Sequence, residues 1–233
     1  MTPAGFQGAD TLAGRLRFPG GLYGVTPEWD DTDRLADAVR RAAAGGMTAL
    51  QLRRKTATEA QRAAQARVLA DLCRELGVVF LVNDHWRLAL DVGADGAHLG
   101  RDDGDLAQAR AQAGSGLLLG ASCYNDLARA RELLDAGADY IAFGAVFPSA
   151  TKPQAVRAPL SLLARARELA AGMPGPRPAV VAIGGITPAN APQVAQAGAD
   201  SIAVINGLFE APDIQQAAAA CAAPFSASSY SKP

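Results

Sequence analysis

One short pattern, Gly-Ala-Asp, recurs three times along the chain, each time between a helical segment and a short apolar run. The copies begin at Gly93, Gly137 and Gly198, and the pair Gly45-Gly46 holds the equivalent place earlier. Glycine suits the left-handed turn that ends a helix, after which a strand can begin abruptly. In our strand numbering these sites precede the second, fourth, sixth and eighth strands. That spacing indicates an eight-stranded barrel made of similar double units.

The remaining pattern supports a parallel sheet with helices between its strands. Short, nearly continuous apolar runs alternate with amphipathic segments, which is typical of strands buried on both faces. The predicted strands are Gly21–Val25, Ala49–Leu52, Val79–Val82, Gly96–Leu99, Leu118–Ser122, Tyr140–Phe143, Ala179–Ile183 and Ser201–Ile205. The predicted helices are Asp33–Ala44, Glu59–Leu76, a shorter one after Asp84, Leu106–Ala113, Leu127–Ala136, Leu160–Ala170, Ala191–Ala197 and Ile214–Ala222. We predict an α/β fold, a single-domain (β/α)8 TIM barrel. An open doubly wound sheet is the alternative, because Gly-Ala-Asp is also simply a good helix stop.

The two ends of the chain lack this pattern. Residues 1–19 show little periodicity and are expected to form a loosely ordered arm. Residues 224–233 are rich in serine and lack a hydrophobic face, so we expect a flexible tail. Residues 20–223 remain as the catalytic barrel, a length that folds as one domain.

Composition narrows the class of protein. The formal net charge of -1 argues against broad binding to nucleic acid or to anionic membranes. Cys73, Cys123 and Cys221 form no CxxC pair, which fits a reducing compartment. The start of the chain lacks the features of a signal peptide, and no apolar run approaches the ~20 residues needed to span a bilayer. We expect a soluble, cytoplasmic protein; whether it is a homo-oligomer stays open.

The functional residues of such barrels lie in the loops that follow the carboxyl ends of the strands. The second strand ends in Gln51-Leu52-Arg53-Arg54-Lys55, and period-two alternation points Gln51, Arg53 and Lys55 into the barrel mouth. Two inward cations beside an amide suit a bound diphosphate. The alternative is a solvated charge run at the start of a helix.

Acidic residues follow the next two strands. Asp84 comes after the third strand, and Asp102 and Asp103 come after the fourth. Because the strands are neighbours, Asp84 and one of the other two can converge beside the cations. Two carboxylates there suit a Mg²⁺ ion shared with substrate phosphates. The alternative is that each aspartate caps the following helix.

A second set of donors follows the last three strands. The sixth strand leads to Ser149, Thr151 and Lys152, which lie between prolines in a donor-rich loop. The seventh strand ends in Gly184-Gly185 and the eighth in Asn206-Gly207, where this fold holds phosphate through backbone N–H groups. The glycine pair alone could be a tight turn; its match with Asn206-Gly207 favours a phosphate site.

Together these motifs predict two anion sites, one for a diphosphate with Mg²⁺ and one for a phosphate monoester. Two phosphorylated substrates held face to face suggest joining chemistry with diphosphate as the leaving group. We expect no dedicated nucleophile, because no cysteine or serine has an evident histidine base beside it. His98 is expected to pack within its strand, and His85 to serve local structure.

In this order and spacing, over most of residues 20–210, the motifs resemble those of thiamine-phosphate synthase. The matching stretches are Gln51–Lys55, Val82–Asp84, Gly96–Gly100, Pro148–Lys152 and Ala182–Ile186. The resemblance implies a Mg²⁺-dependent transferase that joins hydroxymethylpyrimidine diphosphate to hydroxyethylthiazole phosphate, giving thiamine phosphate and diphosphate. It also implies a dissociative mechanism, in which diphosphate departs before the thiazole nitrogen attacks.

The resemblance further implies roles for individual residues. Diphosphate would be held by Arg53, Lys55, Asn83 and Lys152, and the pyrimidine by Gln51 and Ser122. Asp84 and Asp103 would be the Mg²⁺ ligands. The thiazole phosphate would be held by Ser149, Thr151 and the backbone at Gly185, Ile205 and Asn206. Arg53, Lys152 and Ser122 would be the catalytic residues.

Four departures from the family pattern leave alternatives open. Arg54 replaces a usual Glu, Ser149 a usual Thr and Asn206 a usual Ser, and Cys123-Tyr124 stands where His-Thr is frequent. The alternatives are a thiazole tautomerase-like barrel, a non-catalytic barrel that binds thiazole phosphate, and a sugar-phosphate isomerase. The missing histidine disfavours the tautomerase, and the retained cations and carboxylates disfavour a barrel without turnover. An isomerase would need a general base beyond the assigned carboxylates.

Overall fold

The computed structural model describes residues 16–101, 103–148 and 156–226. Within them eight parallel strands pair in chain order and close into a barrel, which confirms the TIM barrel over the open sheet. The strands are β1 Gly21–Val25, β2 Met47–Leu52, β3 Val79–Asn83, β4 Gly96–Leu99, β5 Leu118–Tyr124, β6 Tyr140–Phe143, β7 Ala179–Ile183 and β8 Ser201–Val204. The helices are α1 Thr32–Ala44, α2 Glu59–Leu76, α3 Trp86–Asp91, α4 Leu106–Ala113, α5 Leu127–Asp135, α6 Ser161–Ala171, α7 Ala191–Gln196, α8 Asn206–Phe209 and α9 Ile214–Ala222.

The predicted elements differ from these mainly at their ends. β2 begins two residues earlier than predicted, because the Thr48 hydroxyl donates to the carbonyls of Gly20 (3.0 Å) and Leu22 (3.1 Å) and so joins β1. β5 runs on to Tyr124 through a register shift that the apolar pattern does not reveal. The four-residue helix α8 was not predicted, because it is too short to show a helical period.

Alternation along the strands divides the core into two layers. Outward-facing residues pack under the helices, and inward-facing residues fill the barrel. The interior cluster consists of Phe18, Tyr23, Val25, Ala49, Leu81, Tyr140, Ala142, Ala179, Val181 and Ala203. The inward polar residues Gln51, Asn83, His98 and Ser122 lie toward the carboxyl ends of their strands.

The aspartates of the Gly-Ala-Asp repeat tie neighbouring strands together at the amino-terminal end of the barrel. The backbone N–H of each aspartate donates to the carbonyl of the second residue of the preceding strand. The carboxylate of the same aspartate accepts the backbone N–H of that residue. The pairs are Asp95 with Phe80, Asp139 with Leu119, and Asp200 with Val180, with carboxylate distances of 2.7, 2.8 and 2.8 Å respectively. The repeat is thus more than a helix stop, because it sets the register between strands.

The described part of the N-terminal arm differs from the loosely ordered segment that was expected. Phe18 is completely buried and lies 4.3 Å from the ring of Tyr140, centroid to centroid. The Arg17 N–H donates to the carbonyl of Arg177 at 3.0 Å, which anchors the segment beside β7. The segment is ordered because the apolar ring of Phe18 fills the amino-terminal end of the barrel interior. Residues 1–15 lie outside the described residues.

At the other end, Ala223–Phe225 form a short 3₁₀ turn, and the remainder of the predicted tail, residues 227–233, lies outside the described residues. Among the helices described, none is long and apolar enough to cross a membrane.

Candidate active site

Two amides meet at the carboxyl ends of neighbouring strands. Gln51 in β2 and Asn83 at the end of β3 are both buried, and Gln51 Nε2 donates to Asn83 Oδ1 at 2.7 Å. Gln51 also accepts from the Tyr23 hydroxyl on β1. The predicted inward direction of Gln51 therefore holds, and its amide is held from both sides.

Two cations, Arg53 and Lys55, follow β2 on the alternation that also turns Gln51 inward. The Arg53 N–H donates to Thr26 Oγ1 at 2.9 Å, and Lys55 Nζ lies 3.1 Å from Asp84 Oδ2. Arg54 turns the opposite way, as alternation predicts. Its side chain is 3% exposed and binds Asp30 and the carbonyl of Trp29 beneath the loop after β1.

Glu28 organises this loop and was missed by the sequence reasoning. Its carboxylate accepts from the Lys55 N–H at 2.8 Å and from the Thr56 hydroxyl at 2.9 Å, and it lies 3.4 Å from Arg53 Nη1. Burial alone would raise the pKa of Glu28, but the donors from Lys55 and Thr56 and the charge of Arg53 outweigh it and lower the pKa. An ionised Glu28 thus binds the Arg53 side chain and the backbone of Lys55. It lies in no motif, so only the tertiary contact reveals it.

Asp84 and Asp103 come together at the ends of β3 and β4. Asp84 has φ 65° and donates its N–H to the carbonyl of His98 at 2.8 Å. The carboxyl groups of Asp84 and Asp103 are neighbours, and burial, followed by the interaction with Asp84, raises the pKa of Asp103. Asp102 lies outside the described residues.

The alternative role of these aspartates as helix caps does not hold in the structure. The residue before α3 is His85, without a side-chain cap, and α4 is capped by Asp105, whose carboxylate accepts from the Ala107 N–H at 2.8 Å. A β-carbon at Gly100 would lie 2.2 Å from Asp103 Oδ2, so this glycine leaves space for the carboxylate. Neither Asp84 nor Asp103 therefore caps a helix.

The donor set at this point fits a divalent cation. Neighbouring carboxylates repel each other when ionised, and this repulsion adds to the larger effect of burial in raising the pKa of Asp103. Lys55 compensates only from one side, at 3.1 Å from Asp84. Mg²⁺ commonly takes one or two carboxylates and keeps several waters. No group of three or more potential ligands among His, Cys, Asp and Glu occurs in the part of the chain that the structure describes.

The structure corrects two sequence expectations on the other side of the mouth. Ser122 Oγ lies 2.8 Å from His98 Nε2, so a serine does have a histidine beside it. His98 is not simply packing, because its Nδ1 lies 2.9 Å from the Tyr140 hydroxyl. Both side chains point inward from adjacent strands, β4 and β5, a pairing that only strand register reveals.

Burial lowers the pKa of His98 to about 4, so the ring is neutral near pH 7. A nucleophilic triad would place a carboxylate on its second nitrogen. The partner here is a tyrosine hydroxyl, so the pair does not form such a triad.

The loops after β7 and β8 form the opposite wall. Gly184 and Gly185 have φ 102° and 64°, and a β-carbon on Gly185 would lie 2.3 Å from the carbonyl oxygen of Pro148. Asn190, another residue that sequence reasoning missed, donates from Nδ2 to the Gly185 carbonyl (3.0 Å) and accepts the N–H of Thr187 (2.8 Å). The turn is therefore clamped from both sides.

Two further predicted contacts, Ile205 and Asn206, precede and begin α8 beside this turn. Ser149, Thr151 and Lys152 fall outside the described residues, although Pro148 brings the start of their loop against Gly185.

Comparison with known proteins decides the family. Residues 22–208 match the family described as Thiamine monophosphate synthase, which is most of the chain. The chain belongs to the thiamine monophosphate synthase family. The resemblance inferred from the motifs is confirmed, and the chain is an enzyme: a transferase of thiamine biosynthesis that condenses the pyrimidine and thiazole moieties to thiamine phosphate.

Relatives in the thiamine monophosphate synthase family match nearly end to end. The thiamine-phosphate synthase of Bordetella pertussis is 78% identical over 211 residues, covering 91% of this chain and 97% of that protein. The thiamine-phosphate synthase of Thiobacillus denitrificans is 54% identical over 202 residues, covering 87% and 93%.

Solved structures are consistent with this family assignment and with the barrel fold. Thiamine phosphate pyrophosphorylase from Pyrococcus furiosus superposes with a TM-score of 0.74 at 35% identity, covering 90% of this chain and 96% of that one. The 3-hexulose-6-phosphate synthase of Salmonella typhimurium has a TM-score of 0.68 but 18% identity, over 88% of this chain and 98% of that one, which is a likeness of fold alone.

Proposed function

We propose that the enzyme joins hydroxymethylpyrimidine diphosphate to hydroxyethylthiazole phosphate by a Mg²⁺-dependent, dissociative substitution at this mouth. The observation that carries the proposal is the contact of Lys55 with Asp84, beside Asp103 and the amide pair of Gln51 and Asn83, at the ends of β2, β3 and β4. Cations, an amide and paired carboxylates suit a metal-bound diphosphate. Together they would stabilise the negative charge of that diphosphate as it leaves.

Asp84 and Asp103 are the residues that would hold Mg²⁺. The ion, when bound, would neutralise charge on the diphosphate as it leaves. Lys55 lies against Asp84 and faces the same anion. Asn83 turns its Oδ1 toward Gln51, so its Nδ2 remains to donate to a phosphate oxygen.

The chain's own residues then act on bond breaking. As the bond between the pyrimidine methylene carbon and the diphosphate oxygen breaks, its electron pair leaves with the diphosphate. Arg53 and Lys152 stabilise that growing charge. Gln51 and Ser122 hold the pyrimidine ring, whose methylene carries the positive charge. The lone pair of the thiazole nitrogen forms the new carbon–nitrogen bond.

The second substrate binds at the opposite wall in this proposal. Backbone N–H groups at Gly185, Ile205 and Asn206, with the hydroxyls of Ser149 and Thr151, hold the thiazole phosphate. The left-handed turn at Gly185 and its clamp by Asn190 support a fixed backbone there. Cys123 and Tyr124 in place of a histidine favour this reaction over a tautomerase-like one.

We also assign the reaction to the cytoplasm. The three cysteines, Cys73, Cys123 and Cys221, are free thiols and buried, in keeping with a reducing compartment.

The proposed reaction is tested by mixing the two phosphorylated precursors with Mg²⁺ and measuring thiamine phosphate and diphosphate. We expect equal amounts of both products, and no product after exhaustive chelation. Asp84→Asn keeps the left-handed backbone that asparagine tolerates but removes the charge, and it should reduce turnover at least about 10²-fold.

The matched control for that loss of charge is Asp105→Asn. Asparagine still caps α4, so this variant should retain normal turnover. Full activity in chelator, or an unaffected Asp84→Asn variant, would exclude the assigned metal site.

A separate prediction concerns the thiazole phosphate. Gly185→Ala combines a left-handed φ of 64° with a β-carbon 2.3 Å from the Pro148 carbonyl, so the turn must shift. We expect the KM for thiazole phosphate to rise about tenfold or more, since 1.4 kcal/mol of lost binding is tenfold. The KM for the pyrimidine diphosphate should stay within about twofold.

Gly77→Ala is the matched control for backbone strain. Gly77 has φ 68°, but its β-carbon would meet no heavy atom within 4 Å, and it ends α2 away from the mouth. It should alter neither KM. Equal weakening of both substrates by Gly185→Ala would show that the two anion sites are not separate.

A further inference from the structure

A continuous chain of hydrogen bonds crosses the barrel beneath the mouth and joins the two proposed ends of the pyrimidine substrate. It uses one side chain from each of the strands β1 to β6. In order the members are Asn83, Gln51, Tyr23, Tyr140, His98 and Ser122, joined by distances of 2.7, 2.5, 2.9, 2.9 and 2.8 Å. We call this set the polar chain.

The middle of the polar chain is sealed from solvent. Tyr23 and Tyr140 are 1% and 0% exposed, and the ring of Phe18 packs below both, at 5.1 and 4.3 Å between centroids. The two hydroxyls therefore satisfy each other and their neighbours in the polar chain rather than water. Each link consequently constrains the next.

The polar chain has a direction. A tyrosine hydroxyl has one proton to donate, and a neutral imidazole donates at one nitrogen and accepts at the other. Tyr23 donates to Gln51 Oε1, so Tyr140 donates to Tyr23 and His98 Nδ1–H donates to Tyr140. His98 Nε2 is then the acceptor for the Ser122 hydroxyl proton. Both ring partners are uncharged hydroxyls and the ring is buried, so a neutral imidazole matches both contacts.

The reverse direction would require both amides to flip, and the diphosphate opposes that. A phosphate oxygen accepts hydrogen bonds, so Asn83 must present Nδ2 to it and turn Oδ1 to Gln51, as is seen at 2.7 Å. The anion bound at Asn83 thereby selects the direction of every later link. Ser122, whose proton is used on His98, is left with lone pairs toward the substrate.

We propose that Tyr23, Tyr140 and His98 are positioning residues that make Ser122 Oγ a hydrogen-bond acceptor toward the pyrimidine. The enzyme then selects a ring that presents an N–H donor at that edge, such as an exocyclic amino group, over a ring that presents an oxygen. This inference rests on the proposed function, because it takes Asn83 to hold the diphosphate and Ser122 to contact the pyrimidine.

The test compares two pyrimidine diphosphates that differ only at this edge, one with an amino group and one with an oxygen in its place. A site built around one hydrogen-bond partner rejects its mismatch strongly, so we expect kcat/KM in the wild type to favour the amino compound by about 10²-fold or more. Tyr140→Phe breaks the polar chain and lets His98 donate to Ser122. The preference should fall at least about tenfold, while the KM for thiazole phosphate stays unchanged.

Phe18→Leu is the matched control. It loses packing against the same two rings but removes no hydrogen bond, so it should lower Tm and leave the preference intact. Tyr23→Phe breaks the link to Gln51 instead and should also reduce the preference for the amino compound. It replaces Tyr140→Phe in the test if that variant does not fold.

The outcomes separate the inference from the proposed function. A wild type that joins both compounds to thiazole phosphate with equal kcat/KM, measured as diphosphate release, overturns the inference and leaves the proposed function standing. A preference that neither tyrosine variant changes, or that Phe18→Leu reduces equally, also overturns it. No thiamine phosphate from the amino compound in the wild type overturns the proposed function itself.

Discussion

Replacing Arg53 with alanine should slow bond breaking by roughly 10²–10³-fold, the effect typical of losing one preorganised electrostatic group. Charge on the diphosphate grows as its bond to carbon lengthens. A fixed cation therefore interacts more strongly with the transition state than with the bound substrate, and only that difference accelerates the step. Thr26 and Glu28 hold Arg53 in place before substrate arrives. Lys152→Ala should behave similarly, because the same role is proposed for it.

Single-turnover kinetics at saturating substrate measures this step directly. Arg53→Lys should recover only part of the rate, because a bidentate guanidinium becomes a point charge. Arg41→Ala removes an exposed arginine on α1, paired with Asp37, and should react normally. If saturation restores a normal chemical step in Arg53→Ala, Arg53 only captures substrate and the dissociative account is wrong for it.

Asp200→Ala should have the largest effect on folding, a loss of about 3 kcal/mol in the free energy of unfolding. Asp200 is 5% exposed, binds Arg177 through both oxygens at 2.9 and 2.6 Å, and accepts the Val180 N–H at 2.8 Å. Its removal leaves a buried N–H unsatisfied and a mostly buried guanidinium unpaired. Denaturant unfolding measures the loss.

Asp200→Asn keeps an acceptor for Val180 and should lose less. Asp37→Ala, which removes one partner of an exposed ion pair, should change stability by no more than about 0.5 kcal/mol. The folded Asp200→Ala fraction should keep normal kcat/KM, because Asp200 lies at the stabilising end of the barrel. A loss as small as that of Asp37→Ala would show that the repeat aspartates do not hold the register.

Local patterns were enough to predict the eight strands, all the helices except α8, and the fold. The bounds of β1, β4, β6 and β7 follow from short apolar runs between turn residues, and those of α2 follow from a long amphipathic period. These signals are written within a few consecutive residues, so they need no tertiary information. Strand alternation likewise predicted that Gln51 faces inward and that Arg54 does not.

Contacts between residues of different elements were harder to predict than the elements themselves. The approach of Asp84 to Asp103 followed from strand adjacency, but the space that Gly100 leaves for the Asp103 carboxylate did not. Glu28 and Asn190 act through loops far from any motif, and Phe18 fills the floor from a segment without periodicity. Each depends on which loops meet, and the sequence of either loop alone does not encode that meeting.

The sequence by itself determined an eight-stranded α/β barrel, its family and the chemical types at each strand end, because all of these reside in local order and spacing. The tertiary structure alone decided that His98 meets Ser122 and that two tyrosines join them to Gln51. Those contacts join residues from different strands across the closed barrel. Closure and strand register, which arise only when all the strands pair, bring them within hydrogen-bond distance.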